Sequence, residues 1–242
     1  NIENGNLQRC EIYLTVCEDY NFSKKSLLEL LEGELTLNEQ AYQYLGKNLN
    51  FENITKHKKY NELKVNKSTI YYDNGIEIKN RPDENTIDVY QSIPGARAYI
   101  INGEMENLKI NFNGYEIKEN NSELKASPRN YPIDIVGLTG CLSLVNLKVK
   151  NVSIKANGSS CEDSVNLINV NGSLNEINIK NSFSDGLDVD FSDLEIDNIK
   201  VVSSGNDCVD FSAGTYKLKN LDLSKCGDKG LSVGEKSFLT LN

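Results

Sequence analysis

Four segments of this chain repeat one alternation: Ser164-Val165-Asn166-Leu167, Gly186-Leu187-Asp188-Val189, Cys208-Val209-Asp210-Phe211 and Gly230-Leu231-Ser232-Val233. They begin at positions 164, 186, 208 and 230, a constant step of 22. In an extended strand, neighbouring side chains point to opposite faces. An apolar residue at every second position, recurring at one fixed period in the low twenties, demands a solenoid whose coils lie one on another. Val165, Leu187, Val209 and Leu231 should form one interior file. Leu167, Val189, Phe211 and Val233 should form the next. Asn166, Asp188, Asp210 and Ser232 fall between them and are expected to point outward.

A second pattern is written five times: MENLKI (105–110), LVNLKV (144–149), LNEINI (174–179), IDNIKV (196–201) and LKNLDL (218–223). Their first apolar residues, Met105, Leu144, Leu174, Ile196 and Leu218, give successive intervals of 39, 30, 22 and 22. Read as one column, they require loops inserted at 113–132 and 155–162. Four of the five carry Asn before the middle apolar residue, which predicts a side-chain amide ladder or a bend. The two patterns together predict an all-β chain folded as a parallel β-helix, right-handed because right-twisted strands favour that hand.

The pattern divides the chain. Residues 1–95 read as an N-terminal α/β capping region with irregular first coils. Ser23 as N-cap, a Leu-rich stripe and Gly33 predict a short helix over 23–33. Strand-like pieces follow at Leu35-Thr36-Leu37, Leu63-Lys64-Val65, Ile70-Tyr71-Tyr72 and Ile76-Glu77-Ile78. Residues 96–242 read as the β-helix, and Leu241-Asn242 in mid-strand predicts further coils, another domain or a partner there.

The formal charge of −9 argues against a nucleic-acid partner, which needs a basic face. No apolar run reaches the ~18 residues of a membrane-spanning helix, so no membrane insertion is expected. Six cysteines without a CxxC, and one histidine, His57, offer no zinc pattern. The cysteines read as buried free thiols, or as carrying one local disulfide, Cys10–Cys17 or Cys141–Cys161.

The blocks EDSVNLINV, FSDGLDVDFS, SGNDCVDFSAG and CGDKGLSVG within 162–237 resemble those of bacterial right-handed parallel β-helix repeat proteins of the pectate-lyase-like superfold. They are most similar to the β-helical segments found alone or beside CotH-type kinase-like domains. That resemblance implies the fold; an extracellular or cell-envelope setting is the favoured expectation. A more distant likeness is to polygalacturonase-type glycosidases, whose Asn-Thr-Asp-Gly, Gly-Asp-Asp-Cys and Gly-His-Gly blocks correspond to Phe183–Gly186, Gly205–Cys208 and Asp228–Gly230. Asp185 and Asp207 keep two of that family's carboxylates. Asn206 stands in place of the third, and Lys229 in place of the histidine.

Steps of 22 put Asp163, Asp185, Asp207 and Lys229 in one column. Two carboxylates at coil spacing repel by about 1 kcal/mol in water and about 3–4 kcal/mol at an effective dielectric of 20. A column in a groove therefore needs a partner: a Ca²⁺ ion on Asp163, Asp185 and Asp207, the ammonium of Lys229, or a shared proton for acid–base chemistry on sugars. A plainer role is to accept turn N–H groups coil after coil. The expectation is a non-catalytic module contacting polysaccharide or an envelope surface, with Asn206, Asp188 and Asp210 among the ligand-binding side chains and no required cofactor. The alternative is a carbohydrate-active hydrolase or lyase using Asp185, Asp207 and Lys229. All four arginines, Arg9, Arg81, Arg97 and Arg129, lie outside the repeating coils, which disfavours a uronate lyase.

Overall fold

The computed structural model describes residues 60–115, 138–234 and 236–241, and all of them except Leu138 belong to one compact unit. The expected helix over 23–33, the strand piece at 35–37 and the pair Cys10–Cys17 lie outside the described residues. What is described is a parallel β-solenoid of about six turns, nearly all strand, with one 3-10 turn at Pro82–Glu84.

The stacked strands are β4 (Thr86–Gln91), β5 (Ala98–Glu106), β6 (Lys109–Asn113), β7 (Gly140–Asn157), β8 (Asp163–Ser182), β9 (Asp185–Asp190), β10 (Asp193–Ser204), β11 (Val209–Ser212), β12 (Thr215–Cys226), β13 (Leu231–Val233) and β14 (Phe238–Leu241). They pair in parallel from coil to coil. Before them come β1 (Asn61–Val65), β2 (Ser68–Tyr72) and β3 (Ile76–Arg81), at the places where Leu63–Val65, Ile70–Tyr72 and Ile76–Ile78 read as strands. These three run antiparallel: β1 on β2, β2 on the edge of β5, and β3 on the edge of β4. An antiparallel hairpin across a parallel edge satisfies N–H and C=O groups that would otherwise template pairing with another chain.

The interior files follow the constant step. Val165 pairs with Leu187, Leu187 with Val209 and Val209 with Leu231; Leu167, Val189, Phe211 and Val233 stack beside them. Val165, Leu187, Val209, Leu167, Val189 and Phe211 have no exposed surface. Each such burial contributes about 1.5–3 kcal/mol, and the backbone ladder fixes which residues share it. On another side of the coil, Ile110, Ile154, Ile177, Ile199 and Leu221 form a third file. The files run to the last described turn, where Val233, Phe238 and Leu241 are exposed.

The five-copy pattern does not form one column. Leu174, Ile196 and Leu218 stack as expected. Leu144, however, lies between Ile100 and Leu167, and Met105 lies on Val149. The cause is at the corners. Asn102, Asn146, Asn169, Phe191, Ala213 and Lys236 occupy one corner file in the left-handed conformation, as do Asn107 and Asn151 at a second. Each corner adds one residue to the alternation, so inward residues come three apart instead of two. At Asn107 and Asn146 the apolar-x-Asn-apolar pattern therefore marks a left-handed corner, at different places on the coil, whereas Asn198 and Asn220 of the later copies are not left-handed. Asn is the residue that tolerates this conformation best after Gly.

Consequently the interval of 30 is not a coil with an insertion. Partners on β7 and β8 differ in number by 22 or 23 throughout, and 155–162 is the end of β7 plus an ordinary turn. The offset of 44 between Met105 and Val149 spans two coil lengths, and most of the other expected loop, 113–132, lies outside the described residues. Both expected uses of Asn occur: the left-handed bend, and amide ladders. Asn151 donates to Asn107 (3.1 Å), Asn169 to Asn146 (2.8 Å) and Asn220 to Asn198 (3.0 Å).

Two disulfides staple the solenoid, Cys141–Cys161 and Cys208–Cys226, with sequence separations of 20 and 18. The first was one of the local pairs open to sequence reading. The second overturns the reading of Cys208 and Cys226 as free thiols. A coil returns upon itself at every step of 22, so cysteines slightly closer than one period meet across its closing turn.

Two outcomes follow. Ala213 is the small residue forced to φ 48° in the first corner file, where a left-handed L-residue costs about 1–2 kcal/mol. Ala213→Asn should raise the urea unfolding free energy by about 1 kcal/mol. Replacing Cys208 and Cys226 by Ser should lower it by about 3 kcal/mol, the loop-closure entropy of a ring of that size.

Candidate functional site

The acidic column is assembled as its spacing requires. Asp163 pairs with Asp185 across β8 and β9. Asp185 Oδ1 accepts the backbone N–H of Asp207 at 2.9 Å, and Asp207 Oδ1 accepts that of Lys229 at 2.9 Å. Each carboxylate thus ties its own coil to the next. Asp207 is buried, and its Oδ2 meets Lys229 Nζ at 3.3 Å, while Lys229 also reaches Asp228 at 3.2 Å. Those two carboxylates hold the Lys229 ammonium above its usual range, the hydrogen bond to Asp228 being the largest single cause. The Asn206 side chain, on an exposed turn, hydrogen-bonds the Asp185 carboxylate. Burial still pushes the Asp185 carboxyl upward against the Asn206 and Asp207 contacts.

The neighbouring column behaves differently from a row of solvated charges. Asn166, Asp188, Asp210 and Ser232 do alternate with the inward files, but Asn166 is fully buried and Asp188 and Asp210 are half-buried. The Asn166 amide donates to Asp188 at 3.1 Å and approaches Asp190 at 3.5 Å. Asp163 is buried too, and its Oδ2 has no hydrogen-bond partner among the described residues. Burial, then the charge of Glu162, drives the Asp163 carboxyl well above the usual range; burial, then the charge of Asp190, does the same to Asp188. Among the described residues, no group of three or more His, Cys, Asp or Glu side chains is arranged as a metal-ligand set.

Sequence reading did not single out the other polar surface, on the outer face of β4, β6, β7 and β8. Two rows cross these strands in register: Asp88, Asn111, Lys155 and Asn178, and beside them Tyr90, Asn113, Asn157 and Lys180. They line an open groove of about 610 Å³, floored by Phe112 and Ala156. Three parallel steps of the ladder separate the first and last members of each row, roughly 14 Å. Asp88 is engaged by Arg81 (2.7 Å) and Asn111 (2.8 Å), and Lys155 by Glu176 (3.3 Å). Lys79 Nζ lies 5.0 Å from the Tyr90 ring centroid, a cation–π distance. Asn113 and Lys180 are exposed.

A signal for this groove was present: in IDVYQ, KINFN and INIK the polar residues alternate with Ile, Val and Phe. It was illegible because the offset of 44 hides which of these segments are neighbours. A second groove, about 580 Å³, is lined by Lys150, Asp193, Glu195 and Lys217, among others. There Lys217 is paired with Glu195 (2.8 Å) and Lys150 with Glu106 (2.6 Å).

Fold and surface define the class: a disulfide-stapled parallel β-solenoid with an internal acidic column and an outer polar groove. Compared with protein-family models, curated proteins and solved structures, the chain matches none.

The buried carboxyls set a pH dependence. A carboxyl whose folded pKa lies above its unfolded value binds more protons in the folded state, so its contribution falls as pH rises from the unfolded pKa through the folded one. Urea unfolding between about pH 4 and about pH 8 should therefore show wild type losing more stability with rising pH than the Asp163→Asn/Asp188→Asn double variant. Equal slopes would contradict the assignment.

Proposed function

We propose that this protein is a non-catalytic β-helix module that contacts polysaccharide at a cell-envelope or extracellular surface. The observation that carries this reading is the groove across β4, β6, β7 and β8. Asn113 presents an amide donor and acceptor, as polyol recognition requires, and Asn157 its amide N–H groups, its Oδ1 accepting from Asn181 at 3.1 Å; Tyr90 offers a ring with an apolar face and a polar tip. The side chains stand on paired strands of a rigid scaffold, so little order must be gained on binding. The two disulfides favour an oxidising compartment. By its sequence blocks we place the chain near the bacterial β-helix repeat proteins.

One observation favours the enzyme alternative: Asp185, its carboxyl pushed upward by burial, stands directly beneath Asp207, and a pair of carboxyl groups is what glycoside hydrolysis uses. Against it, Asp185 Oδ1 and Asp207 Oδ1 are taken up by backbone N–H groups, and Asp207 Oδ2 by Lys229. Neither carboxylate lines either groove. The acidic column serves coil stacking better than turnover.

Affinity electrophoresis against neutral and acidic polysaccharides, with a reducing-end assay alongside, separates the two. Tyr90→Ala/Asn113→Ala should weaken retardation several-fold, while Asp185→Asn/Asp207→Asn should leave it unchanged, and no variant should release reducing ends. Turnover that the Asp double variant abolishes would replace this reading with the enzyme.

A further inference from the structure

The charge arithmetic of the groove selects among saccharides. Around it, opposite charges already meet: Arg81 with both Asp88, at 2.7 Å, and Glu84, Lys155 with Glu176 at 3.3 Å, and Lys79 with Glu77 at 3.3 Å. Lys180 is left over. It is exposed, it stands at the β8 end of the row that begins at Tyr90, and its ammonium has no carboxylate partner among the described residues. Asn113, on the same row, is exposed and presents its amide to the groove. In a chain of net charge −9, the side chains that line this groove carry one negative charge, Asp88, and two positive ones, Lys155 and Lys180, so the sign is locally reversed. Some other basic side chains on the outer surface are offset coil by coil, as Lys200 is by Asp222 and Lys217 by Glu195.

We infer that the groove takes an anionic polysaccharide laid across the strands, along the solenoid axis, with an acidic substituent on Lys180 and sugar hydroxyls on the Asn113 and Asn157 amides. This rests on the polysaccharide reading above and deepens it. The orientation follows from the rows themselves. Along a strand, polar side chains alternate with buried ones, so only two per strand reach the groove. Across the strands, four stand one above another at about 4.8 Å spacing, a track for a linear chain. The aromatic ring at one end and the cation at the other give the track a direction. Lys155 and Lys79 are already neutralised, so one acidic group, at Lys180, is the charge the site calls for. A polymer with an anion on every sugar would meet Asp88 at the opposite corner, where the Arg81 pair limits the repulsion.

The test is calorimetric titration of the full chain with four polymers: alginate (carboxylate), dextran sulfate (sulfate), dextran (neutral) and polyglutamate (acidic polypeptide). The variants are wild type, Lys180→Gln and, as a control on another side of the coil, Lys217→Gln. The inference expects alginate or dextran sulfate to bind more tightly than dextran. It expects Lys180→Gln to weaken that binding about tenfold, as loss of a charged hydrogen bond does, with Lys217→Gln near wild type. Raising salt should weaken wild type more than Lys180→Gln. Whichever of the two anionic glycans responds to Lys180→Gln identifies the acidic group. Dextran binding as tightly as both, untouched by Lys180→Gln, would overturn the anionic assignment and leave the polysaccharide reading standing. Binding of none of the three glycans would overturn both. Polyglutamate binding as tightly as the anionic glycans would overturn the saccharide assignment in favour of an acidic polypeptide.

Discussion

The structure depends on one constraint: each coil must offer its backbone N–H and C=O groups and its apolar file to the coil above in the same register. Val165, Leu187 and Val209 gain burial only because the ladder holds them one over another, and their burial in turn holds the ladder in register. A one-residue slip would turn every inward residue outward. The register is therefore held redundantly. Carboxylates of Asp185 and Asp207 accept amides of the next coil, Asn side chains ladder at the corners, and two disulfides close individual coils.

This constraint also orders the surface. Once inward files are fixed, outward residues become rows at the same spacing. Where such a row is Tyr90, Asn113, Asn157 and Lys180, the solenoid has built a polar track with no loop or separate domain devoted to it. Where the row is Asn166, Asp188 and Asp210, it has built a partly buried acidic cluster in which burial pushes the Asp188 carboxyl upward. Two rows built by the same stacking thus have different physics, because burial decides which charges are solvated.

The inner files over 164–233 were legible in the sequence because strict alternation and a constant step of 22 leave no other arrangement. The corners were not. Apolar-x-Asn-apolar looks the same whether it turns the chain at Asn146 or at Asn107, so Met105 and Leu144 were aligned with Leu174 although they stack on Val149 and Leu167. The acidic column was readable to the residue, since Asp163, Asp185, Asp207 and Lys229 obey the constant step, and Asp185 and Asp207 take the amide-accepting role. The groove was invisible for the opposite reason: its strands β6 and β7 are joined through the offset of 44, and no local pattern reveals such neighbours. Cys208–Cys226 was missed because a bridge with a sequence separation of 18 is local only once the coil is known.

The most direct measurement is an amide-resolved NOE spectrum of the isotope-labelled protein. In-register parallel stacking predicts long-range contacts between Leu187, Val209 and Leu231, and between Ile177, Ile199 and Leu221, each pair one coil apart. Contacts pairing these strands antiparallel, or at a separation other than one coil, would contradict the stacking and, with it, every row described on the outer surface.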